Sequence, residues 1–217
     1  LLDLIGDVSG LSVLDLACGE GFYARRVKQQ GAAQVVGVDI SPAMIALAEE
    51  QECSHPLGID YVCSDVQTMP DLGSFDLVIA AYLLHYAPTE AELAGMCERI
   101  VRHLRPGGRF VSLNENPRQL LEQYGGYTQY GFNKTAEAPL RDGSPITYSL
   151  VSGREIISFT AFFFGAATYE RVFNAAGLTV IQWHPLKLGK EGLLEYGPEY
   201  WDEYMNNPPV IGIECRR

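Results

Sequence analysis

The sequence predicts a doubly wound α/β domain in which helices cover both faces of a mostly parallel β-sheet. Two observations lead to this prediction. Short runs rich in β-branched residues alternate with segments of helical periodicity through the first half of the chain, which is the pattern of consecutive βα units. The strand-like runs are almost continuously apolar, as expected for parallel strands that are buried on both sides.

Five strands and three helices are predicted before residue 115. Ser41 followed by Pro42 is typical of a helix start, because serine caps free amides and proline fits the first helical turn. Basic residues and then Pro106-Gly107-Gly108 end the third helix. The predicted strands cover residues 12–16, 34–39, 59–63, 75–80 and 108–113, and the predicted helices cover residues 22–30, 42–51 and 90–104.

The composition changes after residue 113. Only 7 of the 23 aromatic residues precede residue 115, so the second half of the chain is rich in aromatic side chains. It begins with a Gly/Tyr-rich, loop-like stretch at residues 124–132. Strands are predicted at residues 146–151, 155–164, 178–183 and 210–215, and a helix at residues 169–176. Because no linker or repeat interrupts the chain, we expect a single domain, residues 1–217, with a β-rich C-terminal elaboration.

Composition and charge exclude several functional classes. The chain has 217 residues, of which 47% are hydrophobic, and no apolar run approaches the ~20 residues of a membrane span. Its 27 acidic and 16 basic residues give a net charge of −11, without the basic stripe that nucleic-acid binding requires. Five cysteines without metal-ligand spacing predict neither a disulfide scaffold nor a metal site. We therefore expect a cytoplasmic monomer or homodimer that acts on a small molecule.

The loop after the first strand is the predicted ligand site. Its small residues let backbone amides approach a ligand at the carboxyl edge of the sheet. The segment from Gly19 to Ala24 formally matches the GxGxxG/A pattern of dinucleotide-binding proteins. However, Asp15 and Glu20 would place carboxylates beside the phosphates of a dinucleotide. A cationic cofactor such as S-adenosylmethionine would instead gain from Asp15.

Five motifs in this order resemble those of the class I S-adenosylmethionine-dependent methyltransferases, over about residues 11–115. The resemblance implies a seven-stranded, Rossmann-like sheet, with residues 1–115 as the cofactor-binding half and residues 116–217 as the half that completes the sheet and the substrate pocket. One departure is Ala17, where the family usually has a glycine. The motifs are Val-Leu-Asp-Leu-Ala-Cys-Gly-Glu-Gly (13–21), Val-Val-Gly-Val-Asp-Ile-Ser (35–41), Ser-Asp-Val (64–66), Phe-Asp-Leu-Val (75–78) and Leu-Arg-Pro-Gly-Gly (104–108).

The resemblance also implies which residues hold the cofactor. Asp15 would bind the methionine end, and Asp39 would accept hydrogen bonds from both ribose hydroxyls, as a carboxylate can. Asp65 would meet the adenine amino group. The other expected cofactor-binding residues form the loop or pack on the adenine: Ala17, Cys18, Gly19, Gly21, Ile40, Met44 and Val66.

The methyl acceptor is expected over the carboxyl ends of the fourth and fifth strands. His85 is the candidate base, because the unperturbed pKa of histidine is about 6.5, and Tyr82 could orient the acceptor or the cofactor. The late aromatic residues could line a flat apolar pocket, with His184 as a second candidate base. The expected acceptor-binding residues are Asn114, Tyr127, Tyr130, Phe132, Trp183 and His184.

A looser resemblance to bacterial toxoflavin (azapteridine) N-methyltransferases implies methylation of a heteroaromatic nitrogen in secondary metabolism. It rests on residues 130–135, 139–143 and 207–215. O-methylation of a phenolic or carboxylate acceptor remains an alternative. So do, from other classes, an NAD-type oxidoreductase and a cofactor-binding module without turnover. Since the chain starts at Leu1 rather than Met and only about 11 residues precede the first strand, we also expect a native amino-terminal segment that closes over the site.

Overall fold

The computed structural model describes residues 1–153 and 155–217. Seven strands form the main sheet in the order β3-β2-β1-β4-β5-β10-β9, and β6, β7 and β8 form a second, antiparallel sheet. The strands are β1 (Ser12–Leu16), β2 (Gln34–Asp39), β3 (Asp60–Cys63), β4 (Phe75–Ala81), β5 (Leu104–Glu115), β6 (Phe132–Ala136), β7 (Ser144–Ser152), β8 (Glu155–Phe163), β9 (Thr179–His184) and β10 (Val210–Arg216).

Helices cover both faces of the main sheet. Between the described helices and the sheet lie two apolar clusters, one centred on Phe75, Phe110 and Phe173 and the other on Val13 and Val27. The helices are α1 (Leu2–Ile5), α2 (Phe22–Gln29), α3 (Pro42–Ser54), α4 (Glu90–His103), α5 (Ala166–Ala176), α6 (Lys190–Tyr196) and α7 (Asp202–Asn206). Among the described helices, none has the length and apolar character needed to cross a bilayer.

The predicted fold class is confirmed. Strands β1 to β5 pair in parallel, and β10 runs antiparallel to both β5 and β9. The order reverses at β1, which lies between β2 and β4. In such sheets, a crevice forms at the carboxyl ends of the strands where the order reverses, and ligands bind there. The topology therefore places the ligand site beside the loop that follows Leu16.

The structure corrects several predicted boundaries in the second half. Helix α5 begins at Ala166 rather than at residue 169, and Gly165, in an extended conformation, precedes it as the N-cap. The Gly/Tyr-rich stretch contains one short 3-10 turn, Thr128–Tyr130, and its last residue, Phe132, begins β6. Strand β6 and helices α6 and α7 were not predicted. Their sequences are mixed and short, so they depend on pairing with β7 or on aromatic packing.

The small sheet lies against the carboxyl edge of the main sheet. Strand β8 packs on the 3-10 turn Leu84–Tyr86, which follows β4. Its core includes Ile146 and Ala161, both fully buried, together with the ring of Tyr148. The second half of the chain thus covers the region where the crevice opens.

Candidate active site

A cavity of about 500 Å³ opens at the carboxyl ends of β1, β2 and β4. It is the crevice expected from the strand order. The predicted cofactor-binding residues Ala17, Asp39, Ile40, Asp65 and Val66 line it. The cavity therefore brings together residues from three separate sequence motifs.

The loop after β1 has a strained backbone that favours small residues. Ala17 and Gly19 have positive φ angles of 55° and 56°, and Gly21 has a φ of 86° where α2 begins. The Gly19 amide donates to Asp39 Oδ2 at 2.8 Å, which fixes the loop against β2. Ala17 adopts the left-handed conformation in which the family usually has glycine, so the methyl group is accommodated there.

Asp39 is positioned to bind two hydroxyl groups. Its Oδ2 accepts from Gly19 and its Oδ1 accepts from the Ser41 amide, each at 2.8 Å. Each carboxylate oxygen keeps a second acceptor position. The neighbouring Ile40 is 66% exposed at the edge of the cavity, so a flat apolar ring such as adenine could cover it.

Asp65 and Val66 form the opposite wall. The Gln67 amide donates to Asp65 Oδ1 at 2.8 Å, and the Asp65 side chain is half-buried. This bond fixes the turn after β3 and leaves the second carboxylate oxygen without a hydrogen bond to the described residues. Met44, on α3, is half-buried and lies outside the cavity lining, contrary to the expectation that it packs on the adenine.

Asp15 is fully enclosed beneath the loop. It is 1% exposed, and neither carboxyl oxygen has a hydrogen-bond partner among the described residues. Burial raises the pKa of Asp15 to about 8, and the Asp39 carboxylate adds to the rise. The backbone amide of Ala24 opposes this rise without making a hydrogen bond of standard geometry. A buried carboxyl of this kind fits a cationic ligand, because a cation would stabilise its charged form.

The arrangement fits S-adenosylmethionine better than a dinucleotide. Asp15 would favour a sulfonium or ammonium group, and Asp39 would take two hydroxyls. Behind the loop, Cys18 is 7% exposed and packs near Gly37, so it supports the loop rather than lining the cavity. Gly19 and Gly21 likewise shape the loop from outside the cavity lining.

A second pocket of about 360 Å³ adjoins the first one. The two pockets share Tyr82 and Tyr86, so they meet at the end of β4. The second pocket is mostly apolar and aromatic, and the lining residues described here include no charged side chain. They are Tyr82, His85, Tyr86, Phe132, Tyr148, Leu150, Phe159, Tyr204, Pro209 and Val210.

Tyr82 lies at the junction of the two pockets, and His85 lines the second pocket beside it, with the two ring centroids 6.0 Å apart. Tyr82 has a φ of 63°, and its amide donates to the Leu113 carbonyl at 2.8 Å, which holds this conformation. His85 is 3% exposed, and Asn114 Oδ1 accepts from its backbone amide at 3.2 Å. Burial lowers the pKa of His85 to about 4, against an opposing effect of Asn114 and with a smaller lowering contribution from the Lys134 ammonium. The imidazole is therefore neutral at pH 7.

Of the predicted acceptor-binding residues, Phe132 lines the second pocket, and Asn114 lies buried behind the lining. Asn114 is fully buried and donates to the Tyr169 hydroxyl at 2.9 Å. Tyr127 and Tyr130 were expected in the lining and lie outside it. Tyr127 is fully buried, and its hydroxyl donates a hydrogen bond to the Asn207 carbonyl oxygen at 2.6 Å. Tyr130 stacks on the indole of Trp201, and both tyrosines therefore serve packing.

Trp183 and His184 are placed away from both the cleft and the second pocket. Trp183 donates from Nε1 to Glu170 Oε1 at 2.8 Å, so its ring packs between β9 and α5. His184 lines a different cavity, of about 380 Å³, with Glu214 Oε2 3.5 Å from its Nε2. The expectation that these two residues contact the acceptor is corrected, because strand β9 lies at the far edge of the sheet.

Sequence reasoning missed most of the pocket wall. Tyr148 and Phe159 come from β7 and β8 and stack with centroids 5.1 Å apart at 2°. Tyr204 comes from α7. The aromatic enrichment after residue 115 was the available signal, but it could not separate pocket residues from core residues.

Comparisons with known proteins agree with this geometry. Residues 13–108 match a family described as a methyltransferase domain. The chain is 28% identical over 168 residues to N-demethylindolmycin N-methyltransferase of Streptomyces griseus, covering 76% of this chain and 68% of the relative. It is 32% identical over 124 residues to ubiquinone biosynthesis O-methyltransferase of Pseudomonas aeruginosa, covering 55% of this chain and 52% of the relative. The match therefore spans about half the length of the latter protein.

A solved structure shares the whole architecture. An S-adenosylmethionine-dependent methyltransferase from Mesorhizobium loti superposes with a TM-score of 0.70 at 21% identity, covering 97% of this chain and 93% of that chain. At this identity the likeness establishes the fold. Together with the domain match over residues 13–108, it identifies the fold as that of S-adenosylmethionine-dependent methyltransferases.

Proposed function

We propose that this enzyme transfers a methyl group from S-adenosylmethionine to a nitrogen of a small heteroaromatic or amine acceptor in bacterial secondary metabolism. The observation that carries the proposal is that an aromatic, uncharged pocket adjoins the cofactor cleft and shares Tyr82 and Tyr86 with it. The similarity to N-demethylindolmycin N-methyltransferase supports nitrogen as the acceptor atom.

In this proposal, one half of the chain binds the cofactor and the other half binds the acceptor. Residues 1–115 hold the cofactor, with Asp39 at the ribose, Asp65 at the adenine and Asp15 at the methionine end. Residues 116–217 cover the acceptor through the small sheet and α7. The second half also contributes β10, which pairs with β5 in the main sheet.

The chemistry follows from the residues at the junction. When bound, S-adenosylmethionine supplies an electrophilic methyl group on a sulfonium. Tyr82 and His85 orient the acceptor, and the apolar walls exclude water, which can contribute a large part of the rate enhancement. His85 has a pKa of about 4 and is therefore a weak base at pH 7. A neutral nitrogen presents its lone pair without prior loss of a proton, so it fits this site.

O-methylation is the second candidate, because one group of relatives consists of ubiquinone biosynthesis O-methyltransferases. A phenol reacts faster after proton removal, and a carboxylate would bring a charge into a pocket lined by uncharged residues. Both features rank oxygen acceptors below nitrogen. An oxidoreductase ranks lowest, since Asp15 and Glu20 would place carboxylates beside the phosphates of a dinucleotide.

The test is a methyl-transfer assay with methyl-labelled S-adenosylmethionine and three probes of similar size: benzimidazole, 2-naphthol and 2-naphthoate. We expect labelled product from benzimidazole first, with the label on nitrogen. Faster labelling of naphthol or naphthoate oxygen would contradict the proposal. Phe159→Ala should lower kcat/KM for benzimidazole because it removes a pocket wall. The matched control is Phe22→Ala, which removes a 52% exposed phenylalanine outside both pockets.

A further inference from the structure

A buried ion pair lies behind the wall of the second pocket. Lys134 Nζ donates to Glu115 Oε1, and the two side chains are 0% and 2% exposed. The Tyr148 hydroxyl donates to the other oxygen, Glu115 Oε2. Lys134 Nζ also lies 3.9 Å from the centroid of the Tyr124 ring. Each charge is thus matched within this network.

The network keeps polar atoms away from the pocket interior. Because the Tyr148 hydroxyl bonds to Glu115, its ring is held as part of the pocket wall. Phe132 continues the stack, with its centroid 6.2 Å from that of Tyr148 and an interplanar angle of 26°. A flat wall of stacked rings favours a planar aromatic ligand.

The pair also keeps the junction uncharged. The Lys134 ammonium helps to lower the pKa of His85, and burial lowers the pKa of Lys134 and raises that of Glu115. Removing one partner would leave a buried, uncompensated charge beside the pocket.

Fold stability alone does not account for such a pair. Buried ion pairs can often be replaced by apolar residues of similar volume without loss of stability, because desolvation offsets their attraction. A pocket wall made only of apolar residues would also be uncharged, but with this pair the surroundings of the pocket stay neutral only while both partners are present. Either charge, if left unmatched, would attract a ligand of the opposite sign.

We propose that the matched charges of Glu115 and Lys134 determine acceptor specificity, so that the pocket takes an uncharged planar aromatic acceptor and rejects charged ones of the same shape. This inference rests on the proposed function, since it concerns the acceptor of the same site. Glu115 and Lys134 lie behind the pocket lining, and they act on the acceptor through Tyr148 and His85. Both are therefore positioning residues.

The test uses three probes of one ring shape that differ in charge: quinoline, N-methylquinolinium and quinoline-6-carboxylate. Their binding to the protein saturated with S-adenosylhomocysteine is measured by isothermal titration at pH 7.5. For the native protein, we expect quinoline to bind at least about tenfold more tightly than either charged probe, because the pocket offers no charge to offset their desolvation.

Two single variants should shift this ranking in opposite directions. Lys134→Met leaves the Glu115 carboxylate unmatched, so the affinity for N-methylquinolinium relative to quinoline should rise about tenfold. Glu115→Gln leaves Lys134 unmatched, and quinoline-6-carboxylate should gain instead. The double variant should restore the native ranking. If one single variant fails to fold, the other still gives the comparison.

The matched control is Arg171→Met. It breaks an exposed ion pair, in which a guanidinium nitrogen of Arg171 lies 2.9 Å from a carboxylate oxygen of Glu90, and it should leave the ranking unchanged. An unchanged ranking in folded Lys134→Met and Glu115→Gln would overturn the inference. Binding of S-adenosylhomocysteine is measured first for each protein. Its absence in the native protein would contradict the proposed function, whereas normal binding with an unmoved ranking contradicts the specificity inference alone.

Discussion

The enclosed carboxyl of Asp15 should make the ligand-free enzyme less stable as the pH rises. Its pKa is raised from 3.8 to about 8 in the folded chain, so an unfolded chain loses this proton at much lower pH. Below pH 3.8 both states hold the proton, and no stability is lost. As the pH rises toward 8, Asp15 is ionised in the unfolded state but still protonated in the folded state. The free energy of unfolding therefore falls progressively.

The magnitude follows from the shift. At pH 7 the pH lies roughly three units above the pKa of Asp15 in the unfolded chain. Each unit lowers the free energy of unfolding by about 1.4 kcal/mol, so the loss amounts to about 4 kcal/mol. Asp15→Asn removes this ionisation while keeping the size of the side chain. We expect the ligand-free variant to be more stable than the native protein by up to about 4 kcal/mol at pH 7, with the difference vanishing near pH 4.

Urea unfolding followed by tryptophan fluorescence at pH 4, 5, 6, 7 and 8 measures this difference. The same variant should bind S-adenosylmethionine at least about tenfold more weakly, because it lacks the carboxylate for the cationic end of the ligand. Stability and cofactor affinity thus change in opposite directions. A variant that is less stable than the native protein at pH 8, or whose stability difference does not depend on pH, would refute the reasoning.

Asp76→Asn is the matched control. Hydrogen bonds from Ser12 lower the pKa of Asp76, and Arg105 adds to this effect. Its ionised form therefore stabilises the folded state above the unfolded pKa, and this stabilisation is lost as the pH falls. The control variant should be less stable than the native protein at pH 7, opposite in sign to Asp15→Asn, and should bind S-adenosylmethionine normally.

Three further predictions concern the cleft and its junction with the pocket. Asp39→Ala should weaken S-adenosylhomocysteine binding by about 1–3 kcal/mol in a titration, because it removes charge-assisted hydrogen bonds; unchanged affinity would falsify the ribose assignment. His85→Ala should lower kcat, and because the pKa of His85 is about 4, native kcat should show no inflection from this residue between pH 6 and 9. An inflection near pH 6.5 that disappears in the variant would instead identify a base. Gly37→Ala should lower the melting temperature, since a Cβ there would lie 2.7 Å from Tyr61 Cδ1 and 2.9 Å from Cys18 Sγ, and a melting temperature equal to that of the native protein would contradict this packing.

The cofactor half could be predicted from sequence because its signals are local. Apolar runs predict β1 to β5, whose carboxyl ends meet at one edge of the sheet, and the resemblance to class I S-adenosylmethionine-dependent methyltransferases implied that Asp39 and Asp65 bind the cofactor there. The caps were local as well: Ser41 accepts from the Met44 amide, as its place before Pro42 indicated.

The acceptor half could not be predicted in the same way because its contacts are distant in sequence. Tyr148 reaches the pocket because β8, its partner strand, packs on the 3-10 turn after β4, whereas Trp183 lies on β9 at the edge of the main sheet. Aromatic content cannot distinguish these two cases. Lys134 lies in a mixed strand whose burial depends on Glu115, so its sequence gave no apolar signal for β6.

A crystal structure of the enzyme with S-adenosylmethionine and a pocket ligand such as quinoline tests the central claim most directly. The account predicts that the ribose hydroxyls bind Asp39, that the methionine end lies near Asp15, and that the sulfonium methyl points between Tyr82 and His85 into the aromatic pocket. A cofactor bound elsewhere, or one whose methyl group points away from that pocket, would contradict it.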